Sequence, residues 1–302
     1  MIVAGKGGVG KTTVTAALAT AAARAGMSVL IVEVEGKSGL SSALGCPPLE
    51  YDEREVRPNL RARTLTPDHA LLEYLEERGL RRVSKQLVRS GALDVVATAV
   101  PGMKDILVLG KVKQLEVANT ADLILIDAPA AGHAITFLLS ARGLVDAVRV
   151  GPVRKQAEDV IELLSDPNRC RVILVTLPEE TPVNELVETA FALEDRAGIK
   201  LGPVVVNAMP GDLALVGTST VDDAAAAGLA APPEAAALDA AVAFRNERHE
   251  LARAQADRLS GLLPLPQLRL PFLFSAVGPA EVEQLSDALA ADIAALPELP
   301  TP

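Results

Sequence analysis

Apolar positions fall into short runs rich in β-branched residues, separated by stretches with helical spacing. Ile2 to Ala4 is one such run, directly before a glycine-rich loop, and Ser28 to Val34, Leu123 to Ile126, Arg171 to Leu177 and Pro203 to Val206 repeat it. Continuous apolar runs bounded by turn signals mark strands covered on both faces. Between the first two, Thr12 to Ala25 reads as a helix stopped by Gly26. This alternation predicts an α/β fold with a doubly wound, mostly parallel sheet.

The character changes between Leu49 and Thr120. Charges are frequent there, and Leu71, Leu72, Leu75, Leu87 and Val88 recur at three- and four-residue spacing. That pattern predicts a helical insertion over 49–120 rather than more sheet, within one domain spanning 1–302. Val221 to Ala243 is Ala-rich and broken by Pro232-Pro233, predicting two helices joined by a turn, or a mobile segment. Phe244 to Leu259 reads as a charged surface helix, and the Pro-rich tail from Leu296 as a frayed end.

Composition narrows the picture. Of 302 residues 49% are hydrophobic but only 2% aromatic, with no Trp, so the core must be built from Val, Leu, Ile and Ala. Such a core suits strands buried by helices and suits a base-stacking surface poorly. The formal net charge of −10 argues against nucleic acid or an anionic membrane as partner. The densest basic stretch, Arg78, Arg81, Arg82, Lys85 and Arg89, has the spacing of a solvated helix face. Cys46 and Cys170 lie far apart with no CxxC motif, indicating neither a zinc site nor a disulfide framework. No signal-peptide pattern opens the chain and no run of about 18 apolar residues occurs. The expectation is a cytoplasmic protein with no integral membrane segment.

Candidate chemistry is concentrated near the first strand. Gly5, Lys6, Gly7, Gly8, Val9, Gly10, Lys11 and Thr12, continued by Thr13, match G-x-x-x-x-G-K-[ST] in full, with a strand before and a helix after. Glycines let backbone N–H groups close around phosphate, and the helix N-terminus adds a favourable dipole. The motif assigns Lys11 to the β- and γ-phosphates and the Thr12 hydroxyl to Mg²⁺. Asp127, at the end of the Leu123 to Ile126 run, is the natural carboxylate for the same ion, since strand C-termini face the ligand crevice.

The form K-G-G-V-G-K-T-T resembles the deviant Walker A loop of the SIMIBI-type P-loop ATPases. That class includes the arsenite-pump ATPase, the tail-anchored-protein targeting ATPase, partition and septum-site ATPases, and the nitrogenase iron protein. The resemblance implies a dimer in which Lys6 reaches the partner's ATP. Asp127-Ala128-Pro129-Ala130-Ala131-Gly132-His133 is similar to the D-T-A-P-T-G-H switch of the arsenite-pump and targeting branch, with both threonines changed to Ala. Pro101-Gly102-Met103 resembles that branch's P-G helix start. Val204 to Asn207 resembles its adenine-contacting segment, which implies a base contact at Asn207, and Pro271-Phe272 resembles its base-side loop. The branch's switch I aspartate falls on Glu35, one methylene longer, which implies water positioning with hydrolysis slowed.

Departures narrow the function. The branch's arsenite-binding cysteine cluster, zinc CxxC and Met-rich client groove have no counterpart in a chain with two Cys and four Met. The expected activity is an ATPase using Mg²⁺, working as a homodimer or as a heterodimer with a paralogue, and coupling hydrolysis to a client or partner, a protein client being one option and a transported substrate another. Competing readings are a partition or septum-positioning ATPase, for which the acidic end from Glu281 to Leu299 lacks a basic membrane helix, and a weakly hydrolysing half of a heterodimer. No cysteine near the switch segment supports an electron-donor role.

Overall fold

The computed structural model describes residues 1–34, 39–77, 79–90, 102–129, 131–211, 219–231 and 233–296. β1 (Ile2–Gly5) leads through the glycine-rich loop into α1 (Lys11–Arg24), followed by β2 (Val29–Val34) and α2 (Gly39–Leu44). Next come β3 (Arg54–Arg57), β4 (Leu60–Leu65), α3 (Pro67–Glu77), α4 (Arg81–Ser90) and α5 (Met103–Val117). β5 (Leu123–Asp127), α6 (Ala131–Ala147), α7 (Pro152–Ser165), β6 (Val172–Thr176) and α8 (Glu180–Ala192) form the centre. β7 (Val204–Met209), α9 (Thr220–Ala226), α10 (Ala235–Leu262), β8 (Gln267–Pro271) and α11 (Pro279–Ala294) follow.

The strands make one sheet of order β3-β4-β2-β5-β1-β6-β7-β8, parallel throughout except for β3 against β4. Side chains alternate between two cores. Ile2, Ala4, Leu30, Val32 and Ile126 pack against α5, α6, α7 and α8. Val3, Ile31 and Leu125 pack against α1, α2 and α11. The fold is therefore the doubly wound α/β sheet that the apolar runs predict.

The 49–120 stretch needs a correction, because its first part is sheet. β4 lies parallel against β2, with Val29 opposite Leu60 and Val34 opposite Leu65, and β3 closes the edge as an antiparallel hairpin partner. Arginines disguise the strand. Leu60, Ala62 and Leu65 are fully buried, whereas Arg61 reaches Glu53 and the Thr120 carbonyl, and the Arg63 guanidinium lies 4.5 Å from the Tyr51 ring centroid. Near a sheet edge, long cationic side chains can bury their stems and carry their heads to polar partners. Helices begin only at Pro67. In α4, Arg81, Arg82 and Lys85 are exposed, as a solvated face requires. The chain from Ala235 through Phe244 to Leu262 is one helix, not an Ala-rich piece followed by a separate charged one.

Phe137 of α6 is the largest fully buried side chain, whereas Phe191 of α8 is half exposed. Phe137→Ala is expected to lower the unfolding free energy by roughly 3–5 kcal/mol through lost transfer energy and a cavity, and Phe191→Ala by under about 1 kcal/mol. Urea denaturation of both variants checks the contrast.

Candidate functional site

Consecutive strands β5 and β6 flank β1 on opposite sides, so the winding direction reverses there. A crevice opens at the C-terminal ends of strands at such a point, and the loop from Gly5 to Gly10 fills it. Two glycines are forced by close approach. A Cβ at Gly5 would stand 2.4 Å from the Val175 carbonyl oxygen, and one at Gly10, whose φ is +90°, would stand 2.2 Å from Asn207 Nδ2. Gly10 caps α1 and its carbonyl accepts the Val14 N–H at 2.9 Å. No acidic side chain occupies the first turn of α1, so its positive N-terminal end is open to an anion.

The loop is tied down from both sides. Asn207, in β7, donates from Nδ2 to the Val9 carbonyl at 2.9 Å. Lys11 Nζ donates to the Lys6 carbonyl at 3.0 Å, and Lys6 Nζ contacts Glu185 Oε1 of α8 at 2.5 Å. Gly7 and Gly8 are exposed at the loop's crown, and Thr13 lies in the first turn of α1.

Register brings the carboxylates in. Val3 of β1 lies opposite Asp127 of β5, and Asp127 lies opposite Glu33 of β2. Asp127 is buried and accepts from Thr12 Oγ1 at 2.7 Å and from Thr15 Oγ1 at 3.4 Å. A hydroxyl and a carboxylate beside a phosphate loop form an all-oxygen donor set suited to a hard cation such as Mg²⁺. Glu33 is 4% exposed and accepts from Thr64 Oγ1 at 3.0 Å. Burial pushes its carboxyl above the usual range and Asp127 adds to that, while hydrogen bonds from Thr64 and the Leu40 N–H pull the other way.

Beyond the loop, a cleft of 480 Å³ lies between the ends of β6, β7 and β8 and the flank of α10, bordered by Pro178, Ala208, Pro210, Leu251 and Phe272. Ala208 has a φ of +58° where the β7–β8 register shifts. The Phe272 N–H then donates to the Met209 carbonyl at 2.8 Å, setting its ring at the rim. The volume is in the range of small-molecule sites.

The structure thus gathers Lys6, Lys11, Thr12, Asp127 and Asn207 around one loop, with Phe272 at the adjoining cleft. Pro271 ends β8 opposite Met209. The Asn207 amide goes to the loop backbone rather than bordering the cleft. Glu35, Pro101 and Ala130 lie outside the described residues, Gly132 belongs to α6, and Gly102 caps α5. Sequence reasoning overlooked Glu33, Thr15, Thr64 and Glu185. Of these only Glu33 carries a local signal, a lone carboxylate inside a buried apolar strand.

Comparison with known proteins gives the same direction. A sequence model of the anion-transporting ATPase family matches residues 1–150. The chain is 34% identical over 315 aligned positions to the ATPase BagA of Mycobacterium tuberculosis, covering 96% of this chain and 92% of that protein. It is 26% identical over 220 positions to a putative arsenical pump-driving ATPase of Halobacterium salinarum, covering 67% and 34% of the two chains. It is 30% identical over 141 positions to the ATPase get3 of Schizosaccharomyces japonicus, covering 46% and 42%.

The raised carboxyl of Glu33 has a signed consequence. A carboxyl whose folded pKa lies above its unfolded value adds stability below the unfolded pKa, and that contribution is lost as pH rises through the folded value. Glu33→Gln removes the charge that folding disfavours. The melting temperature of the variant minus that of wild type is therefore expected to increase from about pH 4.5 to about pH 8. A difference that is flat or falls with pH, measured by scanning calorimetry, contradicts this account.

Proposed function

From the premise that this chain belongs to the anion-transporting ATPase family and is an ATPase, we propose that it acts as a Mg-ATP-dependent dimeric switch coupled to a protein client. The observation that carries the site assignment is the 2.7 Å contact of Thr12 Oγ1 with Asp127 Oδ2 at the helix end that follows the glycine loop. Those two oxygens would hold Mg²⁺, which when bound neutralises charge on the β- and γ-phosphate oxygens.

The chain's own groups account for the rest. Loop N–H groups from Gly7 to Thr12, with Thr13 following, cradle the phosphates. Lys11 swings its flexible stem from the Lys6 carbonyl to the γ-phosphate as the bond to the leaving oxygen breaks. Glu35, at the position resembling switch I, orients the attacking water. Lys6 crosses to the nucleotide of a second copy or of a paralogue. The cleft beside Phe272 takes the base, with Pro271 fixing the rim and Asn207 holding the loop beneath. Catalysis on this plan is positioning and charge stabilisation, with little covalent work by the protein.

A protein client fits better than arsenic(III). Both thiols, half-buried Cys46 and buried Cys170, are pushed up in pKa mainly by burial, which suppresses the thiolate that a soft ion needs. Leu80 and Val83, exposed before and within α4, give the client surface an apolar element. Among the described residues no helix is long and apolar enough to cross a membrane. The proposed site of action is the cytoplasm.

Lys11→Ala is expected to weaken ATP binding and cut turnover at least about 100-fold, and Asp127→Asn to cut turnover by a similar factor and to flatten its dependence on Mg²⁺ concentration. Nucleotide-binding calorimetry and steady-state phosphate release check both. A Lys11→Ala protein that binds and hydrolyses ATP like wild type removes the assignment.

A further inference from the structure

Lys6 has one ammonium group, and its place is already taken. Its Nζ lies 2.5 Å from Glu185 Oε1, on the first turns of α8. Its carbonyl meanwhile holds the second lysine of the loop at 3.0 Å. The two side chains are 43% and 38% exposed, so the pair sits at the surface, where another molecule can reach it. Among the described residues Glu185 forms no other ion pair, and Lys6 meets no other acid.

We infer that Glu185 is a positioning residue that parks Lys6 against its own subunit and competes for it with the phosphates of a second copy's nucleotide. The inference rests on the dimeric reading above. An ammonium hydrogen-bonded to Glu185 cannot also lie on a phosphate across an interface, so the contact must break before Lys6 crosses. Parking also keeps Lys6 from folding back over its own loop. Glu185 is suited to a releasable contact. Partly exposed ion pairs are weak because water screens them and two long side chains lose freedom in forming them. The Glu185 backbone is fixed in a helix whose Thr189 hydroxyl donates to the Glu185 carbonyl at 2.7 Å, so release costs a side-chain rotation and leaves the helix intact.

The effect is a bias. Glu185 weakens the dimer by competing with the triphosphate of the other subunit, and after hydrolysis, when the γ-phosphate charge has left, it recaptures Lys6 and favours separation.

The test uses the full chain with Mg²⁺ and a non-hydrolysable ATP analogue in sedimentation velocity. Glu185→Gln is expected to tighten the dimer two- to fivefold, the size set by a weak surface pair. Glu185→Asp keeps the charge and should dimerise within twofold of wild type. In a Lys6→Ala background Glu185→Gln should change nothing. Equal dimerisation of Glu185→Gln and wild type, weaker dimerisation, or the same shift without Lys6 each overturns the inference. Wild type remaining monomeric with the analogue overturns the dimeric reading itself, and that result needs no variant. Should Glu185→Gln lose its thermal transition, Glu185→Ala is read by the same criteria.

Discussion

The site depends on the register between β1 and β5. Val3 opposite Asp127 puts the carboxylate on the same face of the sheet as α1, where Thr12 and Thr15 meet it. Side chains alternate strictly along a strand, so a slip of one residue would turn Asp127 toward the opposite core and bring Ala128 or Ile126 to the threonines. Ile126 and Ala128 belong to the apolar cluster beneath α5 and α6. The cost of exchanging them with a carboxylate on that side fixes the register, and the register fixes the site.

The same end of the sheet collects charge that a core would normally reject. Glu33 and Asp127 occupy neighbouring strands, both buried, and hydroxyls from Thr64, Thr12 and Thr15 supply their hydrogen bonds. Buried carboxylates require such partners or a cation. Two lysines of the glycine loop lie near this cluster. Lys11 bonds to a backbone carbonyl and Lys6 to Glu185. Buried carboxylates and loop lysines are thus gathered at one end of the sheet beside the backbone N–H groups of the glycine loop, the kind of concavity that takes up anions.

How much of this could be read in advance differs by residue. The glycine loop and Asp127 were legible because their residue types are dictated locally, by backbone approach and by the end of a strand. β4 was not, because Arg61 and Arg63 break its apolar run and only their position near a sheet edge makes them tolerable. Asn207 was legible as a polar residue at the end of an apolar run, but its partner, the Val9 carbonyl 198 positions away, is set by tertiary placement. Glu185 gave no signal at all. It is one of three glutamates along α8, and only folding brings it to a lysine 179 positions earlier. The 28-residue α10 runs unbroken through Phe244, where the shift from Ala-rich to charged composition looks like a boundary although helix propensity continues across it.

The ends of the sheet carry a last consequence. One edge is β3, four residues long, antiparallel, with Arg54 and Arg57 in it and Pro58 after it. The other is β8, with Arg269 mid-strand and Pro271 at its close. Short, charged, proline-bounded edges resist pairing with strands from other chains. An eight-stranded sheet would otherwise be a template for stacking end to end. Contact with another chain is thereby turned away from backbone pairing at these edges and left to side-chain surfaces, which can be made and undone without forming a fibre.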